Sequence, residues 1–188
     1  VSRETEDRMI SVKVPDKQIK EIRGMLHGLP KALPKVIVRA INKVANKSKT
    51  FIIRRITKAV AIKQADLRRR NVRMTRATWS RWLARIVVSG GRIPLTKFGA
   101  RQTKRGVTYR IQRGGKRGRI ERGFIARMPS GHEGVFVRQR SRGRLPIGEA
   151  RGPSVPAVME NIPELQPGAL DEKASADLEI EVVRQADI

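Results

Sequence analysis

PKVIVRAINKVANKSKTFIIRRITKAVAI, residues 34–62, is the stretch on which the fold turns. Pro34 suits a first helical turn, where its missing N–H is not needed. From there Ile37, Ile41, Val44, Phe51, Ile52, Ile56 and Ala59 recur at steps of three or four, the period of a helix with one apolar face. Lys35, Arg39, Lys43, Lys47, Arg54 and Lys58 fall on the other face. The spacing predicts one amphipathic helix ending near Ile62, about 40 Å long. A helix of this kind owes most of its stability to whatever covers its apolar stripe, so the flanking sequence has to supply a partner.

On the N-terminal side, Ile10, Val12 and Val14 alternate and predict a strand over Met9–Val14, ended by Pro15 and Asp16. A short helix to Leu26 follows, before Gly28 and Pro30 break the chain. On the C-terminal side Gln64–Arg70 reads as another short helix, and after Asn71 the period changes to that of strands. Ala84, Ile86 and Val88 alternate with Arg85, Val87 and Ser89, and Val107, Tyr109 and Ile111 alternate with Thr108, Arg110 and Gln112. Phe124–Met128 and Gly134–Arg138 are two more strands, parted by the turn residues Pro129, Ser130, Gly131 and His132. Between strands, Arg101–Gly106 and Arg113–Arg122 combine clustered cations with Gly114, Gly115 and Gly118. They predict an extended, mobile basic hairpin arm over residues 99–122, too charged to enter its own core. Pro146, Pro153, Pro156, Pro163 and Pro167 punctuate an irregular segment, and Leu170, Ala174, Leu178 and Val182 then line one face of a closing acidic helix. The predicted fold class is α+β: a long amphipathic helix packed on a small antiparallel sheet, with the basic arm and the C-terminal acidic helix attached. The predicted division is one α+β domain over 1–162 and the acidic helix over 163–188. No internal repeat is evident.

Charge is distributed unevenly along this frame. The 188 residues carry a net +25, and residues 63–151 alone hold 25 Lys or Arg against four carboxylates, Asp66, Glu121, Glu133 and Glu149. Residues 152–188 reverse sign, with eight acidic and two basic groups. Such an excess repels itself in a compact state and marks a surface meant for phosphates, for an acidic protein, or for both. Hydrophobic residues make up 39% of the chain, enough for a real core, but aromatics are only 4%, so that core is aliphatic and small enough to benefit from neighbouring subunits. With zero cysteines there are no disulfides and no thiolate metal sites. No apolar run approaches the roughly 20 residues that span a bilayer, and Glu4, Glu6 and Asp7 are unlike a signal or transit peptide. A soluble protein with no membrane partner is expected.

Enzyme chemistry needs converging groups of tuned proton affinity, and little material for it is present. His27 lies at a helix end and His132 in a turn. Ser130, His132 and Glu133 are neighbours in sequence, which seldom supplies the spatial geometry of a triad. Asp66, Glu121, Glu133 and Glu149 lack the spacing of a nuclease metal site. Gly114, Gly115, Lys116 and Arg117 do not make a phosphate cradle between strand and helix. No catalytic residue, cofactor or metal is therefore assigned. Trp79 and Trp82 stand three apart; core or subunit-interface anchors are preferred over a base-stacking platform. Arginine outweighs lysine in the middle region, and its planar fork pairs with phosphate or carboxylate alike. The expected nucleic-acid or partner contacts are Arg101, Lys104, Arg105, Arg113, Lys116, Arg117, Arg119, Arg122, Arg138, Arg140, Arg142 and Arg144. Neither a positioned reading helix nor a stacking surface is visible, so contact with a polynucleotide would be sequence-neutral.

Three ordered blocks carry a resemblance. The run from Arg92 through Ile93, Pro94, Leu95, Thr96, Lys97, Phe98 and Gly99 to Ile111 resembles the central signature of the minor tail protein Z family of long-tailed phages. Gly123, Phe124, Ile125 and Ala126, with Met128 to His132 and Gly134 to Phe136, resembles a second block. Arg144 to Ile147 and Gly152 to Pro156 resembles a third, so the likeness spans roughly residues 30–162. It implies a structural tail-completion protein at the head-proximal end of the tail, with a small α+β fold assembled as a ring, commonly of six subunits, around the tail axis. Implied partners are sister subunits, neighbouring tail and head-connector proteins, the tape-measure protein, and phage DNA in the channel. The implied location is the virion tail, after assembly in the host cytoplasm. A ring of this kind uses heterologous interfaces, and a basic midsection meeting an acidic helix would suit one. The competing expectation from composition alone is a sequence-neutral nucleic-acid-binding protein, for example one associated with the ribosome; a nuclease ranks third.

Overall fold

Helix α1 (Leu33–Ala59) runs 27 residues and forms the spine of the molecule. The structure, a computed structural model, describes residues 8–13, 20, 33–139 and 146–186. The helix expected up to Leu26 lies outside the described residues, apart from Lys20. Along α1 the buried positions Ile37, Ile41, Val44, Ile52 and Ile56 follow the expected stripe, widened by Ala40, Ala45 and Ile53. The stripe is wide because α1 is covered from two sides. Phe51, expected on it, is half-buried at its margin, with the Arg55 guanidinium 5.1 Å and the Lys173 ammonium 5.2 Å from its ring centre.

The N-terminal half of α1 packs on helix α4 (Pro167–Ala186). Leu170, Ala174, Leu178 and Val182 of α4 are buried, as their spacing predicts. Small residues on both helices, Ala40, Ala45 and Ala174, let the backbones approach closely around Ile37, Ile41 and Leu178. Next to this seam Glu181 is only 1% exposed, with Lys43 Nζ 2.6 Å from one carboxylate oxygen and Lys47 Nζ 3.9 Å from the other. Burial pushes the Glu181 carboxyl up, but hydrogen bonds from Lys43 and Gln185 and the charges of both lysines outweigh it and hold it below the ordinary 4.5.

The C-terminal half of α1 packs on strands. Among the described residues there are three antiparallel sheets of three strands each, where one small sheet was expected. In the first, β3 (Leu83–Val88) lies between β1 (Arg8–Lys13) and β2 (Val72–Thr75). Its alternation resolves as read: Ala84, Ile86 and Val88 face the core and Arg85 faces solvent. Helix α2 (Gln64–Arg70) precedes β2 and buries Leu67. The third sheet joins β7 (Phe124–Arg127), β8 (Glu133–Arg138) and β9 (Ile147–Ala150).

The middle sheet corrects the picture of the basic arm. Residues 99–122 include β4 (Arg101–Thr103), β5 (Gly106–Tyr109) and β6 (Gly118–Glu121), a meander in the order β4-β5-β6. The expected hairpin exists as β5 and β6, but it is not held away from the core. Val107 is fully buried, and Tyr109, Ile111 and Ile120 pack against the main cluster with Ile56, Leu67 and Val135. Period-two alternation explains this, since the cations take one face and leave the other apolar. The proline-rich segment is also more regular than expected. Besides β9 it forms α3 (Val155–Glu160), which the Ser154 hydroxyl caps by accepting from the Ala157 N–H at 3.3 Å.

Candidate functional site

The predicted contact residues divide by position. The β4–β5–β6 register sets Arg101 opposite Thr108 and Thr108 opposite Arg119. The two arginines are thus exposed on one face, about 10 Å apart across two strand spacings. Lys104, Arg105 and Arg122 are exposed at one end of the meander, and Arg113 and Lys116 at the other. Arg117 is not wholly available, because its guanidinium donates to the Gly99 carbonyl at 2.8 Å and to the Thr108 carbonyl at 3.3 Å. Arg122 has a left-handed φ of 57°, uncommon for a residue with a side chain, where β6 turns into β7. Arg138, at the end of β8, places its guanidinium 5.1 Å from the Phe124 ring centre. Arg140, Arg142 and Arg144 lie outside the described residues.

A tighter gathering of cations lies where α1 ends. The chain after α1 pairs with the segment following β5: Val60 bridges Gln112, Ala61 N–H donates to the Ile111 carbonyl at 2.8 Å, and Arg113 N–H donates to the Ala59 carbonyl at 2.9 Å. These bonds fasten the loop at Arg110–Gly114 against the last turns of α1. Between them opens a cleft of about 760 Å³ whose lining, among the described residues, includes Arg54, Lys58, Lys63, Arg110 and Arg113 and no carboxylate. All five cations are exposed, and among the described residues none forms an ion pair. Only Arg113 is among the contacts expected from the sequence. The signal for Arg54 and Lys58 was present, four residues apart on one helix face, but nothing local tells that Arg110 would join them.

The residues weighed for chemistry are engaged in other ways. His132 Nε2 lies 2.8 Å from Glu149 Oε1, and Arg151 Nε donates to Glu149 Oε2 at 2.8 Å, so the trio ties the β7–β8 turn to β9. Burial raises the Glu149 carboxyl, and the hydrogen bonds and charges of Arg151 and His132 more than reverse this, leaving it below 4.5. Asp66 receives Lys97 Nζ at 2.9 Å. Among the described residues no three His, Asp or Glu side chains are grouped to hold a metal ion. Trp82 is half-buried against the α1–α4 core and donates its ring N–H to the Trp79 carbonyl at 3.2 Å. Trp79, in the turn closed by Thr78 and Arg81, is 63% exposed, so it is no core anchor of its own chain.

The α+β scaffold thus carries a cation-lined surface. The model of the prophage minor tail protein Z (GPZ) family matches residues 16–187, and the chain belongs to that family, whose members are structural components of the phage tail. The match reaches past the three sequence blocks at both ends and takes in α4. No curated protein and no solved structure matches the chain. No helix among the described residues is long and apolar enough to cross a membrane.

Proposed function

We propose that this chain completes the head-proximal end of a phage tail, as a non-catalytic subunit of a ring around the DNA channel, six-fold in the simplest case. It joins the tail to the head connector, and its remaining neighbours are tail proteins, the tape-measure protein among them. Family membership supports the tail role. The observation that carries the rest is the exposed cationic face of the meander, with Arg101 and Arg119 in cross-strand register. It suits contact with DNA phosphates or an adjoining acidic surface. A closed ring brings two different patches of neighbouring subunits together. Trp79, and Ile180 and Val183 on α4, are exposed apolar side chains suited to a contact with a neighbouring subunit.

The test replaces Arg101, Lys116 and Arg119 with Gln and measures head joining and infectious yield. Tails should form and fail to join productively; normal yields overturn the role of this face. The competing reading, a sequence-neutral RNA-binding protein, is separated by gel filtration of nuclease-treated protein. A ring-sized species supports the tail assignment, and a monomer that assembles only with RNA supports the other.

A further inference from the structure

We infer that the cleft at the end of α1 is a binding site for a phosphodiester backbone, adjoining the meander through Arg110 and Arg113. The inference rests on the tail reading only for which polynucleotide it meets, namely duplex DNA. Arg54 and Lys58 come from one helix face, Lys63 from the link to α2, and Arg110 and Arg113 from the loop after β5. Backbone hydrogen bonds at Ala59, Ala61, Ile111 and Arg113 fix the two walls relative to each other. The backbone segments that carry the cations are therefore held together before any ligand arrives, which reduces the ordering cost of binding.

Charge balance favours a polynucleotide over a sister subunit. The chain has 42 Lys or Arg and 17 Asp or Glu. Asp66, Glu149, Glu164, Asp177 and Glu181 already pair with cations of their own chain. A ring of such chains cannot neutralise itself, and a cleft lined among the described residues by five cations and no carboxylate suits an anion that carries several charges. A nucleic-acid backbone supplies one. The cleft presents no aromatic stacking surface, so binding is sequence-neutral.

The experiment measures binding of the purified full chain to a labelled random-sequence duplex of about 20 base pairs, from about 50 to 200 mM salt. The variant Lys58→Gln/Arg110→Gln/Arg113→Gln should flatten the slope of log affinity against log salt by about 3 units and weaken binding at least about tenfold. Arg68→Gln/Arg69→Gln/Arg70→Gln on α2 removes the same charge elsewhere and should do much less. Equal effects of the two variants, or no effect of the first, would overturn the site. So would tighter cleft-dependent binding of an acidic peptide copying residues 170–184, which would make the cleft a protein-docking surface. If the triple variant does not fold, Arg113→Glu alone, at an exposed position, should still lower the slope by about 1 or more. Loss of duplex binding together with normal head joining would preserve the site and show that head joining does not depend on it.

Discussion

Single residues show where the backbone leaves no freedom. Gly106 opens β5 with φ +133°, and a Cβ there would lie 2.1 Å from the Ile120 carbonyl oxygen on the neighbouring strand. Gly106→Ala should destabilise the protein by about 2 to 3 kcal/mol in urea denaturation, through strain and partial loss of the β5–β6 pairing. At Glu181 the two sides of one ion-paired cluster differ in what their removal costs. Lys43 and Lys47 are 40% and 47% exposed, so Glu181→Gln leaves two ammonium groups that water can solvate, at a cost of about 1 to 2 kcal/mol. Lys43→Met/Lys47→Met instead strands a covered carboxylate and should cost more, about 3 kcal/mol. An equal cost for both would mean that Glu181 is less covered than its 1% exposure implies. Glu149 and Glu181 both sit below the ordinary 4.5 in the folded chain. Their contribution is therefore complete above about pH 4.5 and is lost as pH falls through the folded values. Denaturation midpoints should fall below pH 4.5, and Glu181→Gln should make that fall shallower.

At the scale of elements, α4 is the partner that the apolar stripe of α1 requires. It covers Ile37, Ile41 and Val44 with Leu178 and Val182. Leu178→Ala should cost about 2 to 5 kcal/mol by the same denaturation measurement, depending on how far the seam can collapse. Deleting residues 167–188 should leave a chain that aggregates, since the exposed stripe would then have only solvent against it. A soluble, folded truncation would show that α1 is held by the sheets alone. The periodicities of α1, α4, β3 and β5 were readable because each element has one buried face, which forces a repeat on the sequence. Strands β4 and β9 were not readable. Arg101, Gln102 and Thr103 are all exposed, and Ile147–Ala150 are all half-buried, so neither has an alternation to detect. Their pairing comes from β5 and β8 beside them. Helix α3 was hidden by prolines, although Ser154 and Pro156 together make a sound helix start.

For the whole molecule, the excess of positive charge acts over long range. A net +25 over 188 residues opposes compaction. Added salt should therefore raise the melting temperature between about 20 and 200 mM, because screened self-repulsion outweighs the loss of a few surface ion pairs such as Lys97–Asp66. A melting temperature that falls with salt would mean that paired charges, not unpaired ones, govern stability. Nucleic acid should raise it as well, by mass action on the folded state.

The amino-acid order settled the α+β class, the long helix, the acidic closing helix and the cationic excess, because each depends on local period or on composition. Folding in three dimensions decided the rest. It drew residues 99–122 onto the core through Val107, exposed Trp79, divided the strands among three sheets, and brought Arg110 and Arg113 to Arg54 and Lys58. That last arrangement depends on backbone pairing between residues some fifty positions apart, such as Val60 with Gln112, and no local pattern in a sequence encodes a contact of that range.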